Sequence, residues 1–196
     1  KELYDSDTKG LGISVSSKLI IHSIAVAKCL EKTENEEYAT LINNIGIVYD
    51  DMGDYNKALE FYEKDLKICK KILGTETRET AASYNNIGFV YIATNDYDRA
   101  LEFFKKAFSI CKNILGIDHN DTAAAYNNIG LVYSYMGRHN NALEFYEKAL
   151  NIREKVLGTE HPDTATSYNN IGGVYRAMGD HNKALEFYEK ALNIRE

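Results

Sequence analysis

Apolar and polar residues alternate along this chain with the spacing of amphipathic helices. Between residues 80 and 116, a first stripe occupies positions i, i+3, i+4 and i+7, with Tyr84, Ile87, Gly88 and Tyr91. This spacing places all four residues on one buried helix face. A second stripe follows, made of Ala100, Leu101, Phe104, Ala107, Phe108 and Ile110. The pattern predicts two successive helices, and the alanines mark positions where two backbones approach closely.

A turn separates the two predicted helices. It falls at Asn95-Asp96, and the equivalent pairs are Gly53-Asp54, Gly137-Arg138 and Gly179-Asp180. Gly and Asn can take the left-handed conformation that ends a helix, and Asp can cap the helix that follows. The second helix is predicted to end at Leu115-Gly116. Each unit is therefore predicted to be a helical hairpin.

The pattern returns every 42 residues, because the tetrad Asn-Asn-Ile-Gly ends at Gly46, Gly88, Gly130 and Gly172. A period of this length is typical of a solenoid, whose units bury their apolar faces only against their neighbours. Such a stack offers a long exposed surface rather than a closed pocket, which favours binding over catalysis.

Four repeats are predicted, at residues 38–79, 80–121, 122–163 and 164–196. Residues 1–37 fit poorly and are interpreted as a degenerate or partial repeat, in which residues 18–30 have a helical pattern. The last repeat stops before the Lys-Val-Leu-Gly that closes its predecessor, and no polar capping helix follows. Because solenoid ends normally need a cap, we expect a fragment of a longer array or an end that another chain covers.

Short connections join the hairpins, and each closes near a Thr or Asp that is expected to cap the next helix. Pro162 suits the first turn of a helix. His119 near Asp121 and His161 near Asp163 could suggest a metal site. They supply only two ligand types in a short loop, with no third ligand at a suitable spacing, so we predict neither a metal nor a cofactor.

Composition narrows the function further. The chain has 196 residues, 44% of them apolar, and a single proline, so nothing marks a linker within one continuous array. It lacks a long apolar run and a signal-peptide core, so we expect a cytoplasmic protein without membrane insertion. A formal charge of −6 argues against nucleic-acid binding, which needs clustered Lys and Arg. The expected partner is a protein or a peptide.

The cysteines Cys29, Cys69 and Cys111 are odd in number. Cys69 and Cys111 hold one register in successive repeats, where helix axes lie roughly 8–10 Å apart, too far for an unstrained disulfide. They are interpreted as small hydrophobic residues in a reducing compartment.

The motifs resemble the tetratricopeptide repeat. The likeness is carried by a tyrosine, a small residue four positions later, a further aromatic, Gly-Asp-Tyr and a partner helix with Ala…Tyr…Ala. The usual repeat, however, has about 34 residues. Leu-Gly closes each unit here in place of the usual proline. Residues 149–158, His161-Pro162-Asp163 and Tyr168-Asn169-Asn170 are similar to the 42-residue repeats of kinesin light chains. The resemblance covers residues 38–196 and implies an all-α, right-handed α-α superhelix of helical hairpins.

Two stripes can be separated on the first helices. The stripe of Tyr84, Ile87, Gly88 and Tyr91 hardly changes between repeats and is assigned to packing. The neighbouring stripe varies, and the resemblance to peptide-holding arrays places it on the concave surface. It starts with Asn43, Asn85, Asn127 and Asn169, continues with Ile47, Phe89, Leu131 and Gly173, and ends with Asp50, Ile92, Ser134 and Arg176.

This variable stripe is the candidate peptide-binding site. Its asparagines could hydrogen-bond an extended peptide backbone, and Phe89, Ile92, Leu131 and Tyr135 would bury apolar side chains. Asp50 with Asp51 at one end and Arg176 at the other would set the direction of the ligand. A scaffold role stays open, because Asn44, Asn86, Asn128 and Asn170 are expected to tie neighbouring repeats together, and the first asparagines could do so too.

The resulting prediction is a non-catalytic adaptor or scaffold that binds a partner peptide or protein. The sequence has no phosphate-binding loop and no nucleophile motif. Arrays that clamp chaperone tails carry Lys at the register of Asn43 and Asn at that of Ile47, and this chain has neither. The alternatives are a structural segment of a large assembly, with self-association through the uncapped end, and the sensor arm of a larger signalling protein.

Overall fold

A computed structural model describes residues 22–28, 30 and 35–194 of the chain. The predictions for Cys29 and for most of the N-terminal partial repeat lie outside these residues. In the described part every regular element is a helix, which confirms the all-α prediction. Residues 22–28 are helical, and the remaining helices are α1 (Glu36–Asp51), α2 (Tyr55–Ile72), α3 (Arg78–Ala93), α4 (Tyr97–Leu115), α5 (Asn120–Tyr135), α6 (His139–Leu157), α7 (Pro162–Ala177) and α8 (His181–Asn193).

The chain forms two compact units, the first ending at Thr75 and the second beginning at Glu76. Within its described residues, the first unit contains the hairpin of α1 with α2. The second unit contains three hairpins, in which α3 pairs with α4, α5 with α6 and α7 with α8. In the second unit α4 also packs against α5, and α6 against α7, so that successive hairpins stack on one another.

The hairpin turns follow the sequence prediction. The residue two positions after each first helix has a positive φ, from 60° at Asn95 to 83° at Gly179. The aspartate after it accepts a hydrogen bond from a main-chain N–H three residues later, as Asp96 does from Arg99 at 3.2 Å. Asp54 and Asp180 cap their helices in the same way. Arg138, which replaces the aspartate in the third hairpin, makes no side-chain cap.

Within each hairpin, the tetrad glycine lies directly under an aromatic ring of the second helix. A Cβ atom on Gly130 would stand 2.9 Å from the ring carbons Cδ1 and Cε1 of Tyr146, which is only 2% exposed. Real Cβ atoms do not approach that closely, so glycine is required for the two helices to pack. The same contact pairs Gly46 with Tyr62, Gly88 with Phe104, and Gly172 with Tyr188.

The predicted packing stripe of the first helix is also confirmed. Ile87 is fully buried, and Tyr91 stacks on Phe103 with ring centroids 5.5 Å apart. Tyr84 also contacts Phe103, with ring centroids 5.9 Å apart and the rings tilted by 51°. Lys106 lies over the same ring and forms an ion pair with Glu102 at 2.5 Å. Equivalent aromatic contacts recur in the third and fourth hairpins.

The caps of two first helices differ from the sequence prediction. Thr77 caps α3 as expected, since its hydroxyl accepts from the N–H of Thr80 at 3.2 Å. In α5 and α7 the cap is a histidine rather than a Thr or Asp. The Nδ1 atoms of His119 and His161 each accept a main-chain N–H two residues later at 3.1 Å. The histidines therefore have a structural role, and Pro162 occupies the first turn of α7 as predicted.

A buried arginine joins the third and fourth hairpins, and the sequence analysis missed it. Arg153 of α6 is 6% exposed, and its Nη1 donates to the Ser167 hydroxyl at 2.8 Å and to the Asp163 carbonyl at 3.1 Å. Its Nε donates to the side-chain oxygen of Asn120 at 3.3 Å. Asn120 in turn donates to the Asp163 carboxylate at 2.9 Å. The buried guanidinium therefore has hydrogen-bond acceptors at both its Nε and its Nη1.

At the register of Arg153, the preceding repeat has Cys111, a buried free thiol. Cys111 packs in an apolar cluster with Ala81, Ala107 and Ile110. Burial raises the pKa of the Cys111 thiol above its usual value. Cys111 is therefore a small buried hydrophobic side chain, as predicted. Cys69 is also buried, and its thiol donates to the Asp65 carboxylate at 3.5 Å.

We predict that Gly130→Ala destabilises the fold while Gly173→Ala does not. Overpacking costs roughly 1–3 kcal/mol, more than the gain of about 1 kcal/mol in helix propensity. At Gly173 the new Cβ meets only the Tyr188 hydroxyl at 3.8 Å, so the propensity gain stands alone. Urea denaturation followed by circular dichroism measures both. Equal midpoints for the two variants would contradict the packing role of the tetrad glycine.

We also predict that the effect of Ser167→Ala depends on Arg153. In the wild-type background the substitution removes a hydrogen bond to a buried charged group, which costs about 1.5–3 kcal/mol. In an Arg153→Cys background it should cost almost nothing, because Cys111 and Ala125 stand at these two registers in the preceding interface. A double-mutant cycle from urea denaturation measures the coupling. A coupling energy of zero would show that the contact carries no stability.

Candidate functional site

The variable stripe of the second unit forms a partly exposed surface on its three first helices, which we call the asparagine face. Its residues share the side of the helix next to the buried packing stripe. They are half-buried or exposed, whereas Ile87, Ile129 and Ile171 are fully or almost fully buried. The face comprises Asn85, Phe89 and Ile92 on α3, Asn127, Leu131, Ser134 and Tyr135 on α5, and Asn169, Gly173 and Arg176 on α7.

A ladder of side-chain amides joins the three helices of the asparagine face. Asn128 donates from Nδ2 to the Oδ1 of Asn85 at 3.4 Å, and Asn170 donates to Asn127 at 2.6 Å. Each bond links the second asparagine of one tetrad to the first asparagine of the preceding one. The scaffold role left open by the sequence thus applies to both members of the pair, because the oxygens of Asn85 and Asn127 are used for it.

The amide ladder still leaves hydrogen-bonding groups for a ligand. In the described residues, neither Asn85 nor Asn127 uses its Nδ2 group in a side-chain hydrogen bond, and both residues are only half-buried. Because the oxygen is occupied, these two side chains are fixed in orientation and present donors. Donors arranged at repeat intervals suit the carbonyl groups of an extended peptide.

Exposed aromatic rings lie where the second and third hairpins meet. Phe89 is 40% exposed and packs edge-on against Phe104 at 5.1 Å. Tyr135 is 56% exposed and stacks on Tyr97 at 6.0 Å, with the ring planes 2° apart. The hydroxyl of Tyr97 donates to Asn95 at 2.8 Å, which holds its ring in place. Two apolar surfaces are thus held in fixed positions by contacts to the same helix, α4.

Sequence reasoning did not single out Tyr97. Its equivalents in the other repeats are Tyr55, His139 and His181, so an aromatic ring at this position was visible in the alignment of the repeats. What the sequence could not show is that its ring meets Tyr135 of the next hairpin. At the register of Tyr135 the neighbouring repeats carry Ala93 and Ala177, so this contact occurs once in the second unit.

The fourth hairpin gives the asparagine face a different chemistry. Its contribution consists of Asn169, Gly173 and Arg176, with no apolar side chain. In the described residues Arg176 forms no ion pair and Asn169 makes no side-chain hydrogen bond. Arg176 is exposed. The apolar part of the face therefore ends at α5, and a polar, positively charged part lies on α7.

The remaining predicted site residues belong to the first unit. Asn43, Ile47 and Asp50 share one face of α1, where Ile47 is exposed and the other two are half-buried. Burial and the neighbouring carboxylate of Asp51 raise the pKa of Asp50. Burial, together with the carboxylates of Asp50, Asp51 and Asp65, raises the pKa of the Tyr62 hydroxyl. This helix therefore carries an acidic pair at the position that Arg176 holds in α7.

The described part of the chain has neither a cluster of metal-ligating side chains nor a helix suited to a membrane. No group of three or more His, Cys, Asp or Glu residues comes together there to ligate an ion. Within the same residues, none of the helices has the length and apolar character needed to span a bilayer.

Helical hairpins joined through an amide ladder define the class of the protein, an all-α repeat array. A family model of the tetratricopeptide repeat matches residues 37–113, 79–155 and 121–196. Successive matches begin one repeat period apart. The chain belongs to the tetratricopeptide repeat family, and its fold class is the α-α superhelix of that family.

Solved structures that are similar to this chain include the following three. BtubC (BKLC) from P. vanneervenii is 29% identical with a TM-score of 0.71, covering 81% of this chain and 63% of that one. A putative kinesin light chain from Podosopora anserina with nearly identical TPR-like repeats is 22% identical, with a TM-score of 0.76 and coverages of 97% and 92%. The apo form of RapI is 24% identical, with a TM-score of 0.74 and coverages of 99% and 70%.

These likenesses confirm the resemblance to kinesin light chain repeats. The two structures below 25% identity show the fold alone. This chain spans 63% of the length of BtubC, so the two proteins are compared over a shared segment only. A comparison with curated proteins gave no significant match.

Proposed function

We propose that the chain is a non-catalytic protein-interaction module, and that the asparagine face of its second unit binds an extended peptide segment of a partner protein. The observation that carries this proposal is the exposure of Phe89 and Tyr135 on a rigid support. Aromatic side chains that are held in place bury a large area at a small cost in conformational entropy, and they are enriched at binding hot spots. The free Nδ2 groups of Asn85 and Asn127 lie on the same face and supply donors to the peptide backbone.

The division of the face also supports a defined ligand orientation. Apolar side chains of the peptide would pack on Phe89, Leu131 and Tyr135, while its polar end would reach Arg176. Membership of the tetratricopeptide repeat family agrees with this proposal, since such arrays present long surfaces to partners. No chemical step is assigned to the face, because its donors and apolar side chains include no nucleophile paired with a base.

We predict that removing the aromatic surface weakens peptide binding without unfolding the protein. The variant is Phe89→Leu with Tyr135→Ala, and each new residue already stands at the same register in a sister hairpin. The probe is a set of short linear peptides selected from a random phage-displayed library on the wild-type chain. Fluorescence anisotropy of the synthetic peptides should show affinities at least about tenfold weaker for the variant.

The matched control is Val156→Ala, which removes an exposed apolar side chain from the second helix α6. It should change the peptide affinities less than about twofold, because it lies off the asparagine face. Thermal denaturation should show that all variants remain folded. Failure to select any peptide, or equal binding by the wild type and the aromatic-deleted variant, would overturn the proposed function.

A second candidate function is assembly through the last helix. Leu185 and Leu192 of α8 are more than half exposed, whereas Leu143 and Leu150, at the same registers of α6, contact the apolar cluster that contains α7. The same apolar surface on α8 could accept a helix of a second copy of the chain. If so, light scattering should show a mass that rises with concentration, and Leu185→Glu with Leu192→Glu should abolish the rise. A constant monomer mass would rule out this candidate.

A further inference from the structure

The amide ladder decides which hydrogen-bonding groups the asparagine face can offer to a ligand. The side-chain oxygens of Asn85 and Asn127 already accept from Asn128 and Asn170, at 3.4 Å and 2.6 Å. The other members of the face on α3 and α5 are apolar, apart from two side-chain hydroxyls. This part of the face therefore presents amide donors, and its amide oxygens are used for packing the repeats together.

A face that mainly donates fits a ligand that mainly accepts. An ordinary peptide brings one main-chain N–H for each carbonyl, and an N–H that is covered without an acceptor costs free energy. Proline has the carbonyl but lacks the N–H. A proline-rich segment can therefore accept from Asn85 and Asn127 without bringing donors that the face leaves unmatched.

The spacing of the donors points to the same kind of ligand. The bond from Asn128 to Asn85 joins α5 to α3, and the axes of packed helices lie roughly 8–10 Å apart. In a β-strand, carbonyls on one side recur every second residue, at about 6.6 Å. In a polyproline II helix they recur every third residue, at about 9.3 Å. The interval between equivalent donors on α3 and α5 therefore matches the polyproline II helix better than the strand.

The exposed aromatic rings supply the apolar contacts that such a ligand needs. Phe89 and Tyr135 are 40% and 56% exposed, and both are held by ring contacts to α4. Polyproline II segments bind to surfaces lined by aromatic side chains, and their preformed conformation lowers the entropy cost of binding. Because the rings and the amide donors belong to one face, a single segment can contact both.

We propose that the asparagine face binds a proline-rich segment of a partner protein in the polyproline II conformation. Two carbonyls three residues apart accept from the amide groups of Asn85 and Asn127, and neighbouring side chains of the segment pack on Phe89 and Tyr135. The inference rests on the proposed function, to which it adds the composition and the conformation of the ligand.

Three fluorescein-labelled, C-amidated peptides test the conformation, with binding to the full chain followed by fluorescence anisotropy. The first has four copies of Leu-Pro-Pro, and the second has four copies of Leu-Gly-Gly. The third has the composition of the first, with its leucines spread over all three sides of the helix. The first should bind at least about tenfold more tightly than the second, because glycine restores the unmatched N–H groups and the conformational freedom. It should bind severalfold more tightly than the third, which lacks the threefold period.

A substitution of nearly equal shape tests the donors. In Asn127→Asp a carboxylate oxygen still accepts from Asn170, so the ladder is kept while the donor is lost. This variant should bind the Leu-Pro-Pro peptide about tenfold more weakly, since a covered carbonyl loses its partner. The matched control is Asn151→Asp, which adds the same charge at an exposed position of α6 and should change the affinity less than about twofold. Thermal denaturation shows whether both variants remain folded.

Equal binding of the proline and glycine peptides to the wild type, or no binding of either, would overturn the inference. An unchanged affinity of Asn127→Asp would do the same. The peptide selection that tests the proposed function has no requirement for proline. A selection that succeeds with peptides poor in proline therefore overturns the inference and leaves the proposed function in place. A selection that yields no peptide overturns the proposed function, and the inference falls with it.

Discussion

The contact between the tetrad glycine and an aromatic ring fixes the geometry of each hairpin. At Gly130 a single added carbon would lie 2.9 Å from the ring of Tyr146, so the first helix can approach the second only with a bare backbone at this point. Once this contact is made, the rotation of the first helix is determined. Ile129, one position earlier, points into the core, and Leu131, one position later, comes to the surface. The identity of the exposed stripe is therefore a consequence of how the hairpin packs.

The interfaces between hairpins of the second unit vary more in residue type than the contacts within each hairpin. At one joint the register holds Cys111 in apolar surroundings, and at the next it holds Arg153 with a full set of hydrogen-bond acceptors. The residue on the following first helix differs correspondingly: it is Ala125 after Cys111 and Ser167 after Arg153. The amide ladder, by contrast, recurs at both joints. It keeps the first helices in register while the rest of the interface varies.

The features predicted correctly from the sequence are those that local geometry determines. Positive φ at Asn95, the Asp96 cap and the buried stripe each depend on residues within two helical turns of one another. The features that were missed depend on partners elsewhere. The cap by His119 uses a side chain outside the usual set of cap residues. The environment of Arg153 is set by residues 10 to 33 positions away, and the stacking of Tyr97 on Tyr135 joins different hairpins.

The same dependence explains why the sequence identifies the exposed stripe but not the hydrogen bonds within it. The sequence places Asn85 and Asn127 on the variable stripe, yet it cannot show that their oxygens are bound to the next repeat. Once these oxygens are used, the asparagines present donors only. The variable positions beside them are only partly buried, as the 40% exposure of Phe89 and the glycine at position 173 both show. Substitutions there change the surface without moving the helices, so under the proposed function the selectivity for a ligand resides in these positions.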